Sequence, residues 1–103
     1  MIAVLFEVIP KAENKELYFS IAQELKQELS NIEGFVSVER FQSLTDTNKY
    51  LSLSFWENEA AAQHCKTHVQ HQTAQKRGKR EVFKYFRIRV GEVIRDYDWQ
   101  AKQ

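Results

Sequence analysis

The order of hydrophobic patterns along the chain constrains its fold more than any single motif does. Two segments with helical periodicity are interspersed among four short segments rich in β-branched and aromatic residues. The predicted strands cover Ile2 to Ile9, Phe35 to Ser43, Lys49 to Trp56 and Glu81 to Ile94. The predicted helices run from near Glu13 to a stop at Gly34, and from the cap residue Asn58 through Lys76 to a stop at Gly78.

The spacing inside these segments predicts which side of each is buried. The first helix has an apolar stripe formed by Leu17, Ile21, Leu25 and Leu29. The third strand alternates, so that its two sides differ in chemistry. One side carries Leu51, Leu53 and Phe55, and the other carries Tyr50, Ser52, Ser54 and Trp56. A polar turn from Leu44 to Asn48 joins the second and third strands and predicts an antiparallel hairpin.

The resulting order, β-α-β-β-α-β, predicts a ferredoxin-like α+β fold over residues 1–96, followed by a polar tail over residues 97–103. Right-handed crossovers place both helices on one face of the antiparallel sheet. The other face is largely apolar or aromatic, and soluble monomers rarely expose such a surface. The sequence therefore predicts a homodimer in which two sheets pack against each other.

Length, charge and cysteine content narrow the class of protein. The chain has 103 residues, enough for one domain, and a formal net charge of +1. The segment from Lys76 to Arg89 holds seven basic residues and one acid, but a strand divides its side chains between two faces, so nucleic-acid binding is not expected. No apolar run is long enough for a membrane span. A single cysteine, Cys65, is expected in the core and fits a cytoplasmic protein.

The polar and aromatic side of the last two strands is the most informative candidate site. Tyr50, Ser52, Ser54 and Trp56 are expected to lie beside Tyr85 and Arg87, with Arg40 nearby. Aromatic walls with a few hydroxyl and guanidinium donors suit a flat, partly anionic aromatic molecule. The alternative is that these residues form dimer contacts or the outer surface.

Three histidines form a second candidate. His64, His68 and His71 have helical i, i+4 and i+7 spacing and share one face. Such spacing can present imidazoles to a metal, but no further ligand can be assigned, so no metal site is predicted. His68 is placed instead at the rim of the aromatic pocket.

The segments from Gly34 to Phe41 and from Leu51 to Glu57, followed by His68, His71 and the aromatic-basic last strand, resemble the antibiotic biosynthesis monooxygenase family. The resemblance implies a dimeric α+β barrel with a ligand pocket between sheet and helices. The family includes cofactor-free oxygenases of aromatic polyketides and quinols, as well as haem-degrading enzymes. It therefore implies a cofactor-independent monooxygenase acting on a small aromatic substrate.

The resemblance singles out Trp56, Ser52 and His71, and the chemistry of the side chains suggests their individual roles. Trp56 and Ser52 orient the substrate, although polyketide oxygenases place Asn where this chain has Ser52. His71 serves as a base or as a partner for an anion, and Arg40 or Arg87 stabilises negative charge. A non-catalytic ligand-binding protein and a haem-binding relative using His71 stay open as alternatives. Haem degradation fits less well. Haem-degrading members hold the haem with residues at three positions, and this chain matches only one of them, at His71.

Overall fold

The structure is a computed structural model that describes residues 1–76 and 79–102, and the side chains of residues 1–69 and 81–102. Its strands are β1 (Ile2–Pro10), β2 (Phe35–Gln42), β3 (Tyr50–Trp56) and β4 (Phe83–Glu92). Its helices are α1 (Lys15–Leu29), α2 (Glu59–Lys76) and the single turn α3 (Lys79–Val82), and a 3-10 turn (Ala12–Asn14) precedes α1. The predicted stop at Gly78 lies outside the described residues.

The four strands form one antiparallel sheet with the order β2-β3-β1-β4. β1 pairs with β3 from Ile2 opposite Trp56 to Val8 opposite Tyr50, and it pairs with β4 along its other edge. This strand order, with the two long helices as crossovers, is the ferredoxin-like arrangement. The predicted α+β fold is therefore confirmed.

The core lies between the helices and one face of the sheet. Alternate residues of β1 are buried there, and Val8 is completely inaccessible. The buried residues of α1 are Tyr18, Ile21, Leu25 and Leu29. α2 begins, as predicted, directly after the cap residue Asn58, whose Oδ1 accepts a hydrogen bond of 2.9 Å from the backbone N–H of Ala61.

The end of the first helix differs from the prediction. α1 ends at Leu29 rather than continuing to Gly34, and the Ser30 N–H bonds to the carbonyls of Lys26 and Glu28. Gly34 instead precedes β2 with a φ of +92°, and a Cβ there would lie 2.7 Å from the Cβ of Ala61. The glycine thus allows close approach of the β2 entry to α2.

The last strand also differs from the prediction, because it begins at Phe83 rather than at Glu81. Its register with β1 shifts between Ile9 and Pro10. As a result Phe83 is buried in the core, with its ring centroid 5.9 Å from that of Phe6. Strict alternation along β4 would instead place Phe83 on the same side as Tyr85, away from the core.

The face of the sheet away from the helices is called the outer face. It carries half-buried side chains of β1 and β3, namely Leu5, Leu51, Leu53 and Phe55. Phe41 and Tyr85 on the same face are 43% and 37% exposed. Glu7 forms ion pairs there with Lys49 at 3.5 Å and Arg89 at 3.3 Å.

Residues 93–102 follow β4 without helix or strand. The Val93 N–H donates to the Met1 carbonyl at 2.9 Å, and beyond it Tyr97 and Trp99 are more than four-fifths exposed. Over the described residues, no helix has the length and apolar character needed to cross a membrane.

Candidate functional site

A cavity of about 460 Å³ lies between the two long helices and the inner face of the sheet. Its apolar wall includes Val4, Phe6, Leu25, Val69 and Ile88. Its polar side includes Tyr18, Arg40, Ser52, Ser54 and Cys65. A mostly apolar chamber of this size with a few clustered polar groups is the usual form of a small-molecule site.

The strand register explains why the polar groups gather. Arg40 of β2 pairs with Ser52 of β3, so both side chains leave the sheet on the same side. Ser54 pairs with Val4 of β1, and this places its hydroxyl on the inner face as well. α1 and α2 cover this part of the sheet and supply Tyr18 and Cys65.

Ser54 is the centre of a buried hydrogen-bond chain. The indole Nε1–H of Trp56 donates to the Ser54 Oγ at 2.9 Å, and the Ser54 hydroxyl hydrogen-bonds the Cys65 thiol. Ser54 is 3% exposed and Trp56 is completely buried. Burial raises the pKa of the Cys65 thiol to about 11, and the bond from Ser54 only partly offsets this. The thiol is therefore protonated at neutral pH.

Tyr18 and Arg40 form a second polar group in the cavity. The Arg40 guanidinium carbon lies 5.8 Å from the centroid of the Tyr18 ring and 5.9 Å from that of Phe19. Burial raises the pKa of the Tyr18 phenol, while the Arg40 charge lowers it and Tyr50 raises it further. The net increase keeps the phenol protonated, so it can donate a hydrogen bond to an anion.

Of the predicted site residues, the structure brings Arg40, Ser52 and Ser54 together at the cavity. Trp56 is sealed behind Ser54 and packs edge-on against Phe35 at 5.4 Å. Its predicted role in orienting a ligand stays a prediction, and any effect would act through Ser54.

Tyr50 is also packed behind the cavity rather than on its wall. It is 7% exposed, and its ring lies 6.0 Å from that of Tyr18 and 5.2 Å from that of Phe19. It therefore supports the Tyr18 ring. Phe19, which lies off the apolar stripe of α1, is half-buried in this ring cluster.

The expected grouping of Tyr85 and Arg87 with these residues is wrong. Arg87 pairs with Glu7 and Tyr85 pairs with Ile9, so both lie on the outer face, across the sheet from the cavity. Alternation correctly placed Tyr85 and Arg87 on the same side of β4, but this local pattern does not indicate which side of the strand faces the helices. The inner face of β4 is represented at the cavity by Ile88.

The histidines contribute less than expected to the described cavity. His68 is half-buried on α2, and its Nδ1 lies 2.9 Å from the His64 carbonyl oxygen, which accepts the bond. His68 is not among the described residues that line the cavity. The side chain of His71 lies outside the described residues, so neither its predicted role nor the haem alternative is tested. Among the described residues, no three His, Cys, Asp or Glu side chains lie close enough together to hold a metal ion.

Sequence reasoning missed Tyr18 as a site residue. Its position in the helical stripe indicated only a core residue, and nothing in that spacing shows that the phenol would border a cavity. Lys26 and Lys66 also border the cavity and were missed, because exposed lysines on helices carry no distinctive sequence signal.

Comparisons with known proteins agree with this fold. The sequence pattern of the family described as antibiotic biosynthesis monooxygenase matches residues 1–77. A protein of Pyricularia oryzae named jasmonate monooxygenase ABM is 39% identical over 93 residues, which are 90% of this chain and 43% of that protein. The uncharacterized protein YqjZ of Bacillus subtilis is 27% identical over 93 residues, 90% of this chain and 79% of that protein. The chain thus spans less than half the length of the fungal relative.

Among solved structures, Rv0793 from Mycobacterium tuberculosis superposes with a TM-score of 0.79 at 12% identity. The superposition covers 94% of this chain and 98% of that one. At this identity the likeness establishes the shared fold alone. Because the family pattern extends from β1 into the end of α2, across most elements that enclose the cavity, the chain belongs to the antibiotic biosynthesis monooxygenase family.

Proposed function

We propose that the chain is a cofactor-independent monooxygenase that oxidises a small aromatic phenol or quinol in the cavity. The observation that carries this proposal is the cavity itself, in which an apolar wall faces Tyr18, Arg40, Ser52 and Ser54. Family membership and the name of the fungal relative support oxygenation as the reaction. The single cysteine favours a reducing cytoplasm as the location.

The proposed reaction balances without a further reductant. A phenol with a hydrogen para to its hydroxyl loses both of those hydrogens and four electrons, and becomes a quinone. One atom of O₂ forms the new carbonyl, and the other leaves as water with the two hydrogens. The substrate anion supplies the electrons, so the protein has to bind the phenol, favour its deprotonation and exclude bulk water.

The described residues provide the groups for those tasks. The protonated Tyr18 phenol and the Arg40 guanidinium stabilise the negative charge that develops on the substrate oxygen. Ser52, which pairs with Arg40 from the neighbouring strand β3, provides a hydroxyl that orients the substrate. We assign the role of base to His71, a residue that the family resemblance also singles out.

Oxygen uptake with 1-naphthol tests the proposal, with EDTA present and no added flavin or metal. The expected product is 1,4-naphthoquinone, with one oxygen atom from ¹⁸O₂. Tyr18→Phe keeps the ring but removes the donor, and kcat/KM should fall by about ten-fold or more. Ser52→Ala should also lower kcat/KM.

Ser20→Ala is the matched control, because Ser20 is exposed on α1 and does not line the cavity. Its turnover should equal that of the unmodified chain. Unchanged turnover in both Tyr18→Phe and Ser52→Ala would contradict these assignments. No uptake with 1-naphthol or any related quinol would contradict the activity itself.

A non-catalytic binding protein is the second candidate. This candidate is favoured by the complete burial of Trp56. The Ser54 hydroxyl lies between the indole and the cavity, so the indole does not contact a ligand there directly. A protein of this kind would bind 1-naphthol with no oxygen uptake.

We also propose that the outer face is covered by a second copy of the chain. Its half-buried Leu51, Leu53 and Phe55 form an apolar patch next to the Glu7 ion pairs. Charges of both signs beside an apolar centre suit a two-fold contact, in which a surface meets its own copy.

A further inference from the structure

Among the described residues, the charges around the cavity are unbalanced. Three of these residues are cations that border it, Lys26 of α1, Arg40 of β2 and Lys66 of α2, against one carboxylate, that of Glu39. Glu39 pairs in register with Leu53, whose side chain belongs to the outer face. Among the described side chains, no carboxylate lies within ion-pair distance of any of the three cations.

Arg40 is the best placed of the three. Its guanidinium is held over the Tyr18 and Phe19 rings, at 5.8 and 5.9 Å, rather than by an acidic side chain. Stacking on ring faces leaves the planar edge of a guanidinium free to bond a carboxylate with two parallel N–H donors. Its charge also acts at the Tyr18 phenol, which shows that its field reaches into the cavity.

The rest of the wall indicates what else an anionic ligand must contain besides its charged group. Val4, Phe6 and Ile88 from the sheet and Leu25 from α1 make an extended apolar surface. A bare inorganic anion would gain nothing from this surface and would lose its hydration beside it. A molecule with an apolar ring system and one acidic group satisfies both sides of the cavity.

We propose that the ligand of this cavity is an aromatic carboxylate, with its ring system against the apolar wall and its carboxylate paired with Arg40. This rests on the proposed function, whose substrate class it narrows from phenols in general to phenols that carry a carboxylate. The phenol hydroxyl then lies within the Tyr18 and Ser52 part of the cavity.

Anaerobic calorimetry with a matched pair of probes tests the inference, since no oxidation interferes with binding. The probes are 1-hydroxy-2-naphthoate and 1-hydroxy-2-naphthamide, which differ in charge but hardly in size. The unmodified chain should bind the carboxylate about ten-fold or more tightly than the amide. Arg40→Met keeps an apolar stem, and should reduce this ratio to near one, chiefly by weakening the binding of the carboxylate.

Two further variants separate charge from geometry. Arg40→Lys retains the charge without the planar fork, and should give an intermediate ratio. Lys84→Met removes a cation that does not line the cavity, and should leave the ratio of the unmodified chain. If Arg40→Met does not fold, the salt dependence of the unmodified chain decides, because the carboxylate preference should fall as ionic strength rises.

Equal affinity for the two probes, a preference for the amide, binding of neither probe, or an unchanged ratio in a folded Arg40→Met would each overturn the inference. Oxidation of 1-naphthol without a carboxylate preference would overturn the inference and leave the monooxygenase proposal standing. A carboxylate preference that depends on Arg40, without any oxygen uptake, would support the inference about the ligand and would contradict the monooxygenase proposal.

Discussion

At the scale of single residues, β3 shows what alternation can and cannot predict. The period of two correctly placed Tyr50, Ser52, Ser54 and Trp56 on one side of the strand. It could not show that Ser52 and Ser54 border a cavity while Tyr50 and Trp56 are covered. That distinction depends on where the side chains of α1 and α2 pack over the strand. The sequence of the strand alone does not contain this information.

Cys65 provides a residue-scale prediction. Because a thiol with a pKa of about 11 is almost entirely protonated at pH 8, its alkylation by iodoacetamide should be about 100-fold slower than in the urea-unfolded chain, before any steric protection. The native rate should continue to rise with pH beyond 10, whereas an unperturbed thiol levels off near 9. Ser54→Ala removes the hydrogen bond that lowers the pKa, so it should slow the reaction further. A native rate that levels off near pH 9 would contradict the burial described here.

At the scale of elements, strand and helix identities follow well from periodicity, and their ends follow less well. Gly34 has the sequence signature of a helix stop, yet α1 ends at Leu29. The register shift between Ile9 and Pro10 also has no simple sequence signal, and it determines the side to which Phe83 points. Both features depend on contacts between segments distant in the chain, which a local pattern does not contain.

The contact between the β2 entry and α2 gives an element-scale prediction. Gly34→Ala should destabilise the fold by about 1–3 kcal/mol, because Gly34 has a φ of +92° and its added Cβ would meet Ala61 at 2.7 Å. Urea unfolding measures the loss. Combining Gly34→Ala with Ala61→Gly removes the overlap, so the loss should be smaller than the sum of the two single changes.

Gly91→Ala is the control for this measurement. A Cβ at Gly91 would have no atom within 4 Å, and its stability should change by less than about 0.5 kcal/mol. Equal losses for the Gly34 and Gly91 variants would show that the close approach to Ala61 is not a constraint.

At the scale of the whole molecule, the proposed second copy predicts a mass of twice 12.2 kDa by light scattering coupled to gel filtration. Leu53→Glu places a charge in the centre of the outer face, and Phe41→Glu places one at a position already 43% exposed, so that folding is little affected. Both variants should elute as monomers at micromolar concentration. Leu44→Glu, in the hairpin turn at 98% exposure, should retain the mass of the unmodified chain. A monomeric unmodified chain would contradict the proposal.

The two sides of β3 serve different purposes within a single strand seven residues long. Even-numbered positions line the cavity or support its wall, whereas odd-numbered positions lie on the outer face. Substitutions at Ser52 and Ser54 would therefore change the wall of the cavity without changing the leucines of the outer face. Because the two faces of the strand can change separately, the same fold can carry cavities of different chemistry.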